Sequence, residues 1–177
     1  PEYDLEKGDK VLVPAITWPT QVWSIIQAGL CPVLYDCSIK TFNPDITTVP
    51  EEVLRQCKMI FTTHILGTCC DMDELREYAE NYNLLIAEDA CESLGTKYRG
   101  QQVGTFGEVG TFSSFFSHHI TTMEGGLLCS NNDDLINQAK IMRAHGWSRS
   151  LQENGLESFC EKRNLLLDEY KDCLLYT

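Results

Sequence analysis

The sequence predicts an α/β fold, with a mainly parallel sheet flanked by helices. Three observations lead there. Short, continuously apolar runs of strand length recur along the chain. Segments with apolar residues at helical spacing separate them. Gly, Pro, Asn and Asp punctuate the joints. The continuity of the apolar runs matters, because a strand covered by helices on both faces loses the alternation that a half-wet strand shows.

Each element has its own signal. Residues 10–15 (KVLVPA) read as the first strand. Residues 18–29 have helical apolar spacing and stop at Gly29. Residues 32–37 (PVLYDC) are a second strand, and residues 50–56 a short helix with Pro50 in its first turn. Residues 59–65 (MIFTTHI) are a third strand. Residues 71–82 (DMDELREYAENY) form an amphipathic helix whose early acids suit the positive end of the helix dipole. Residues 84–89 (LLIAED) are a fourth strand, and residues 111–116 and 126–130 suggest two more. Residues 131–144 open on Asn-Asn-Asp-Asp, a helix start. After His145 the pattern weakens, with a further helix expected over residues 158–170. There is no internal repeat and no low-complexity linker.

Composition narrows the function classes. The 177 residues suffice for one domain with a sizeable core, and 43% apolar with 23% charged residues is ordinary for a globular protein. No apolar stretch approaches the roughly 20 residues that span a bilayer. The opening Pro1-Glu2-Tyr3-Asp4 is polar and acidic, unlike a signal peptide, and lacks an initiator Met, which suggests a piece of a longer protein. A net charge of −12 argues against a nucleic-acid partner but not against a small anion held by local groups. Nine cysteines (31, 37, 57, 69, 70, 91, 129, 160 and 173) include no Cys-x-x-Cys pair, so zinc and thioredoxin-like readings are weak. Buried free thiols in a reducing cytosol account for them.

In open parallel sheets, ligands bind beyond the carboxyl ends of the strands. That rule gathers Thr17-Trp18 after the first strand, His64 near the end of the third, Glu88-Asp89 ending the fourth, and Ser117-His118-His119 after residues 111–116. Each has a plainer reading. Asp89 could cap the following turn, Trp18 could be core, His64 could be core or pocket wall, either of the paired histidines could be structural, and Glu124-Gly125-Gly126 could be a turn.

Taken together, the stretches GDKVLVPAITWPT, GLCPVLYDC, NLLIAEDACESLGTKYRGQQVGTFGEVGTFS and HHITTMEGG resemble the sugar-nucleotide aminotransferase family that uses pyridoxal 5'-phosphate (PLP). The similarity runs over about residues 5 to 150. It implies the aspartate-aminotransferase-like (PLP fold type I) large domain, incomplete over residues 1–150. Residues 151–177 would then begin the connection to a C-terminal small domain. The family's small domain and its Gly/Thr phosphate-binding loop are not recognised in this sequence.

The resemblance also implies roles. Asp89 would pair with the protonated pyridine nitrogen, Trp18 would stack on the ring, Glu92 would lie near the ring hydroxyl, and Ser113 would donate to the phosphate. Gln or His is frequent at the Glu92 position, so Glu is a departure. The aminotransferases place their Schiff-base lysine six residues before the Glu of Glu-Gly-Gly. Six before Glu124 is His118. The chain therefore resembles the lysine-less branch of PLP/PMP-dependent 3-dehydratases, which act on nucleotide-linked 4-keto-6-deoxy sugars in deoxysugar and O-antigen biosynthesis (PMP being the pyridoxamine form). SHHITTMEGG and RAHGWSR are most similar to the type acting on the GDP-linked sugar.

Imidazole cannot hold PLP covalently but can move a proton near neutral pH, which makes His118 the implied catalytic base. The partners implied are a nucleotide sugar, glutamate as amino donor and a second subunit in a homodimer, with no nucleic acid or membrane. A sister group carries an iron–sulfur cluster on cysteines after the helix ending near Arg143. Here no cysteine follows until Cys160, and one thiolate cannot hold a cluster that needs four. An aminotransferase tolerating His118, or a noncatalytic piece of either enzyme, remains the alternative.

Overall fold

The structure, a computed structural model, describes residues 5–147. The helix expected over residues 158–170, Cys160, Cys173 and the domain boundary expected at residue 150 lie outside the described residues. Contacts group the chain into two compact units, Pro1–Cys129 and Ser130–Thr177.

Among its described residues the first unit holds eight strands and three α-helices, in the order β1 (Lys10–Pro14), α1 (Pro19–Gln27), β2 (Cys31–Tyr35), α2 (Glu51–Leu54), β3 (Cys57–Thr63), α3 (Met72–Tyr82), β4 (Leu85–Asp89), β5 (Lys97–Tyr98), β6 (Gln101–Gln102), β7 (Val109–Ser113) and β8 (Gly126–Cys129). Six strands form one sheet in the order β2-β1-β3-β4-β7-β8. All neighbours are parallel except β7 and β8. β5 and β6 form a separate antiparallel hairpin.

Period-two alternation decides what each strand buries. Val11 and Val13 of β1 pack with Ile25, with Val22, Met59 and Phe61 against them. Leu12, between them, joins Ile60, Ile86, Leu54, Met72 and Leu75. One face of the sheet is thus covered by α1 and the other by α2 and α3, which is why these strands read as unbroken apolar runs. Burying a side chain such as Leu12 or Ile60 contributes roughly 1.5–3 kcal/mol.

Helix ends follow local chemistry. Pro19 occupies the first turn of α1, with Trp18 extended before it. Asp71 caps α3 by accepting from the Glu74 N–H at 3.1 Å, and Asn83 ends that helix in the left-handed conformation, φ 53°. In the second unit, α4 (Asp133–Arg143) is capped by Asn132, which accepts from the N–H groups of Asp134 and Leu135 at 2.9 and 3.3 Å.

The strand order fixes where a ligand can enter. From β1 the chain crosses to β2 on one side, then returns to place β3 on the other side of β1. Connections therefore diverge between β1 and β3, the topological switch point at which open α/β sheets form a crevice. Beyond β3 the sheet grows outward through β4 and β7.

Two expectations need correction. The last parallel strand ends at Ser113 rather than at residue 116. The Phe115 N–H turns back to the Ser113 hydroxyl at 3.1 Å, and Phe115 and Phe116 pack on each other with centroids 4.4 Å apart instead of alternating across a sheet. Pro50 also stands just outside α2, at its N-cap, rather than in its first turn.

Candidate functional site

A cavity of about 750 Å³ opens at the carboxyl ends of β1, β3, β4 and β7. Trp18, Asp89, Glu92, Ser113 and His118 all line it, although they are drawn from a hundred residues of sequence. Trp18 is not core: its side chain is 71% exposed at the mouth, a large apolar ring offered to whatever enters. Asp89 ends β4, and its Oδ1 accepts from the Cys91 N–H at 3.0 Å. Burial, and then the Asp89 carboxylate beside it, push the Cys91 thiol up to about 12, so that it stays protonated at neutral pH. Glu92 accepts from the Leu66 N–H at 2.8 Å, holding a left-handed residue (φ 52°) in the loop after β3. The Ser113 hydroxyl accepts from the Phe115 N–H, which leaves its own proton free to donate into the cavity.

His118 lines the cavity, whereas its neighbour His119 is exposed and does not. His118 rides on the loop of residues 114–125, with its N–H donating to the Phe115 carbonyl at 3.0 Å. The neck of that loop is closed by hydrogen bonds from the Ser114 N–H to the Gly125 carbonyl (2.9 Å) and from the Thr122 N–H to the Ser114 carbonyl (2.8 Å). The Thr122 hydroxyl donates to the Glu124 carbonyl at 2.9 Å, so the Ser114 hydroxyl is the donor in its 2.8 Å contact with Thr122. A Cβ at Gly125 would sit 2.5 Å from Ser114 Oγ and 2.7 Å from Thr122 Oγ1, which is why position 125 is a glycine.

The other titratable residues at the strand ends serve the scaffold. His64 and Glu88 are both fully buried. Nδ1 of His64 accepts from the Cys70 N–H at 3.2 Å, so this ring is the neutral tautomer with its proton on Nε2, donated to Glu88 Oε2 at 3.0 Å. Three backbone donors complete the cradle: the N–H groups of Gly104 (2.7 Å), Phe106 (2.6 Å) and Gly107 (2.7 Å). Burial alone would raise the Glu88 pKa. The bonds from His64, Gly107 and Gly104 outweigh it and hold the carboxyl below the ordinary glutamate value. The glycines of GTFGEVG make this possible, because a side chain at Gly107 would collide with the Ile86 carbonyl and one at Gly110 with Gly104.

Sequence reasoning did not single out Gln21, Thr63 or Ser114. The signal for Gln21 was present: a polar residue one turn before Ile25, on the buried face of an amphipathic helix. No comparable signal marked the neck of the 114–125 loop.

Residues 2–165 match the DegT/DnrJ/EryC1/StrS aminotransferase family. The chain belongs to that family. It is 40% identical over 148 residues to a GDP-4-keto-6-deoxy-D-mannose 3-dehydratase of Yersinia pseudotuberculosis, covering 84% of this chain and 38% of the relative. It is also 40% identical over 139 residues to a GDP-perosamine synthase of Caulobacter vibrioides, covering 78% of this chain and 38% of the relative. Among solved structures, a GDP-4-keto-6-deoxymannose-3-dehydratase with a trapped PLP-glutamate geminal diamine superposes with a TM-score of 0.77 at 38% identity, covering 84% of this chain and 38% of that one. The fold is therefore the aspartate-aminotransferase-like large domain expected from the sequence, and the chain spans a little over a third of the length of these relatives.

Proposed function

We propose that the whole protein is a PLP/PMP-dependent 3-dehydratase that removes the C3 hydroxyl of a GDP-linked 4-keto-6-deoxy sugar, with glutamate as amino donor, acting as a cytoplasmic homodimer. The observation that carries the reading is the convergence of Asp89, Trp18, Ser113 and His118 on one cavity, with histidine where the resemblance places the aminotransferase lysine. These side chains suit the cofactor in kind. Asp89 is an anion for the pyridine nitrogen, Trp18 an aromatic face for the ring, and Ser113 a free hydroxyl proton for the phosphate. When bound, the protonated ring supplies an electron sink.

Asp89 keeps that ring protonated, since a carboxylate beside the nitrogen stabilises the cation. Trp18, exposed at the cavity mouth, would cover one face of the bound ring and exclude water from it. Glu92 holds the Leu66 loop at the cavity wall, and its carboxyl group would lie near the ring hydroxyl when the cofactor is bound. His118 accepts and returns the proton at the reacting carbon and, lacking an aliphatic amine, cannot capture the cofactor covalently. Replacing the C3 hydroxyl by hydrogen is a two-electron reduction of the sugar. Glutamate provides those electrons and leaves as 2-oxoglutarate and ammonia, so the reaction balances without another reductant.

A second reading, a GDP-sugar aminotransferase, is favoured by the 40% identity to the perosamine synthase. Product analysis separates the two. The full-length protein is incubated with GDP-4-keto-6-deoxymannose, glutamate and PLP. The expected products are a 3-deoxy ketosugar and ammonia. A 4-amino sugar that retains its C3 hydroxyl, with no ammonia released, would establish the aminotransferase instead.

A further inference from the structure

Gln21 is 3% exposed, and every hydrogen-bonding position of its amide is used. Its Nε2 donates to the carbonyls of Phe61 (2.9 Å) and Thr62 (3.3 Å) at the end of β3. Its Oε1 accepts from the Thr63 hydroxyl (2.7 Å) and lies within hydrogen-bonding distance of the Thr17 hydroxyl, which also contacts Thr63 at 3.0 Å. Its backbone N–H donates to the Trp18 carbonyl at 3.0 Å.

These bonds meet an unusual need. The N-cap of helix α1 is Trp18, whose side chain makes no capping hydrogen bond, and Trp is a poor N-cap residue. A glutamine three residues after an N-cap commonly reaches back to the cap's own N–H. Here it reaches sideways to the neighbouring strand. The strands it ties together, β1 through Thr17 and β3 directly, are those between which the connections diverge and the crevice opens.

We propose that Gln21 is a positioning residue that sets the angle at which Trp18 covers the cofactor ring, by pinning the first turn of α1 to the end of β3. This rests on the cofactor site proposed above. Gln21 itself need not touch the cofactor; it acts through the backbone of residues 17–21. The amide is suited to this because it donates to two carbonyls and accepts from hydroxyls at once, which neither a carboxylate nor an apolar side chain of that length can do.

The test is calorimetric titration of the full-length apoprotein with pyridoxamine phosphate, a probe that forms no imine with surface lysines. Gln21→Met is expected to weaken binding about tenfold, as a buried amide network of this size is lost. Repeating the measurement in a Trp18→Ala background decides the route. If Gln21 acts through Trp18, Gln21→Met adds less than about twofold there. A full tenfold effect in that background, or wild-type affinity for Gln21→Met alone, overturns the proposal. Wild-type affinity for Trp18→Ala alone would instead overturn the underlying placement of Trp18 on the ring, and the inference with it. Should Gln21→Met not fold, Thr63→Val removes one donor to the same amide. It is expected to weaken binding about threefold, with the same loss of effect in the Trp18→Ala background.

Discussion

The two walls of the cavity are held in opposite ways. On the β4 side, the carboxylate preceding Asp89 is sealed from water and saturated by one imidazole and three backbone N–H groups. On the facing side, His118 hangs on a loop whose neck is tied by exposed hydroxyls and main-chain bonds. Buried, saturated networks open rarely, whereas exposed hydrogen bonds exchange readily with water. The difference separates two demands on one site. The group proposed to fix the cofactor needs rigidity, and the group proposed to move a proton needs a small range of approach. Substitutions on the β4 wall should therefore register mainly as stability, and those on the loop mainly as rate.

The largest effect should come from the loop. His118→Asn is expected to lower dehydration by about 10²–10⁴-fold, the usual cost of a positioned general base, while pyridoxamine phosphate affinity and the melting temperature stay near wild type. Steady-state kinetics alongside thermal melts read this, and a marked fall in melting temperature would erase the proposed division. Glu88→Gln should do the reverse. An amide NH₂ must face a donor in the cradle, and removing one side of such a buried charged network costs roughly 3 kcal/mol.

That penalty has a defined pH dependence. The folded Glu88 pKa lies below the unfolded one. Its stabilisation is therefore complete above the unfolded glutamate value of about 4.3 and is lost as pH falls through the folded value. Denaturant melts of wild type and Glu88→Gln should differ fully at pH 7 and converge in acid. A gap that stays constant into acid would show that the carboxylate charge is not what matters.

Smaller effects sharpen the contrast at the neck. Gly125→Ala forces Ser114 and Thr122 apart, and misplacing the His118 loop should lower turnover about tenfold with cofactor affinity within about twofold. Equal losses in affinity and turnover would mean that the loop also shapes the cofactor site. The smallest effect is expected at His119. It lies outside the cavity lining, so His119→Asn should change rate and stability by no more than the roughly 0.5 kcal/mol of an ordinary surface substitution. An inactive His119→Asn beside an active His118→Asn would transfer the role to His119.

Much of the framework was legible because it depends on local pattern. The four parallel strands β1 to β4, of which only the edge strand β2 is largely exposed, and helices α1, α3 and α4 announced themselves by apolar continuity, caps and spacing, with ends off by at most two residues. The β5–β6 hairpin was not legible. Its strands have two residues each, too few for any periodicity, and its turn uses Arg99 at φ 47° before Gly100 at φ 89°, where Asn or Asp would have been the usual signal. The cavity-lining residues were reached through strand-end positions and the resemblance together, so His118 and Asp89 stood out. The cradle of Glu88 was hidden because its backbone donors lie 16 to 19 residues later, in a segment whose glycines alone say nothing about which group they admit.

Strand β8 carries a practical consequence. It is the last strand of the sheet among the described residues, and its adjacent side chains Leu127 and Leu128, which point to opposite faces, are 62% and 44% exposed. Among the described residues β8 pairs with β7 alone, and an edge strand with apolar residues on both faces is a template for another strand. Where that edge is left open, the protein should recruit other copies at β8 and precipitate as concentration rises. A lysine at position 127, placed as natural edge strands place one, should keep it in solution.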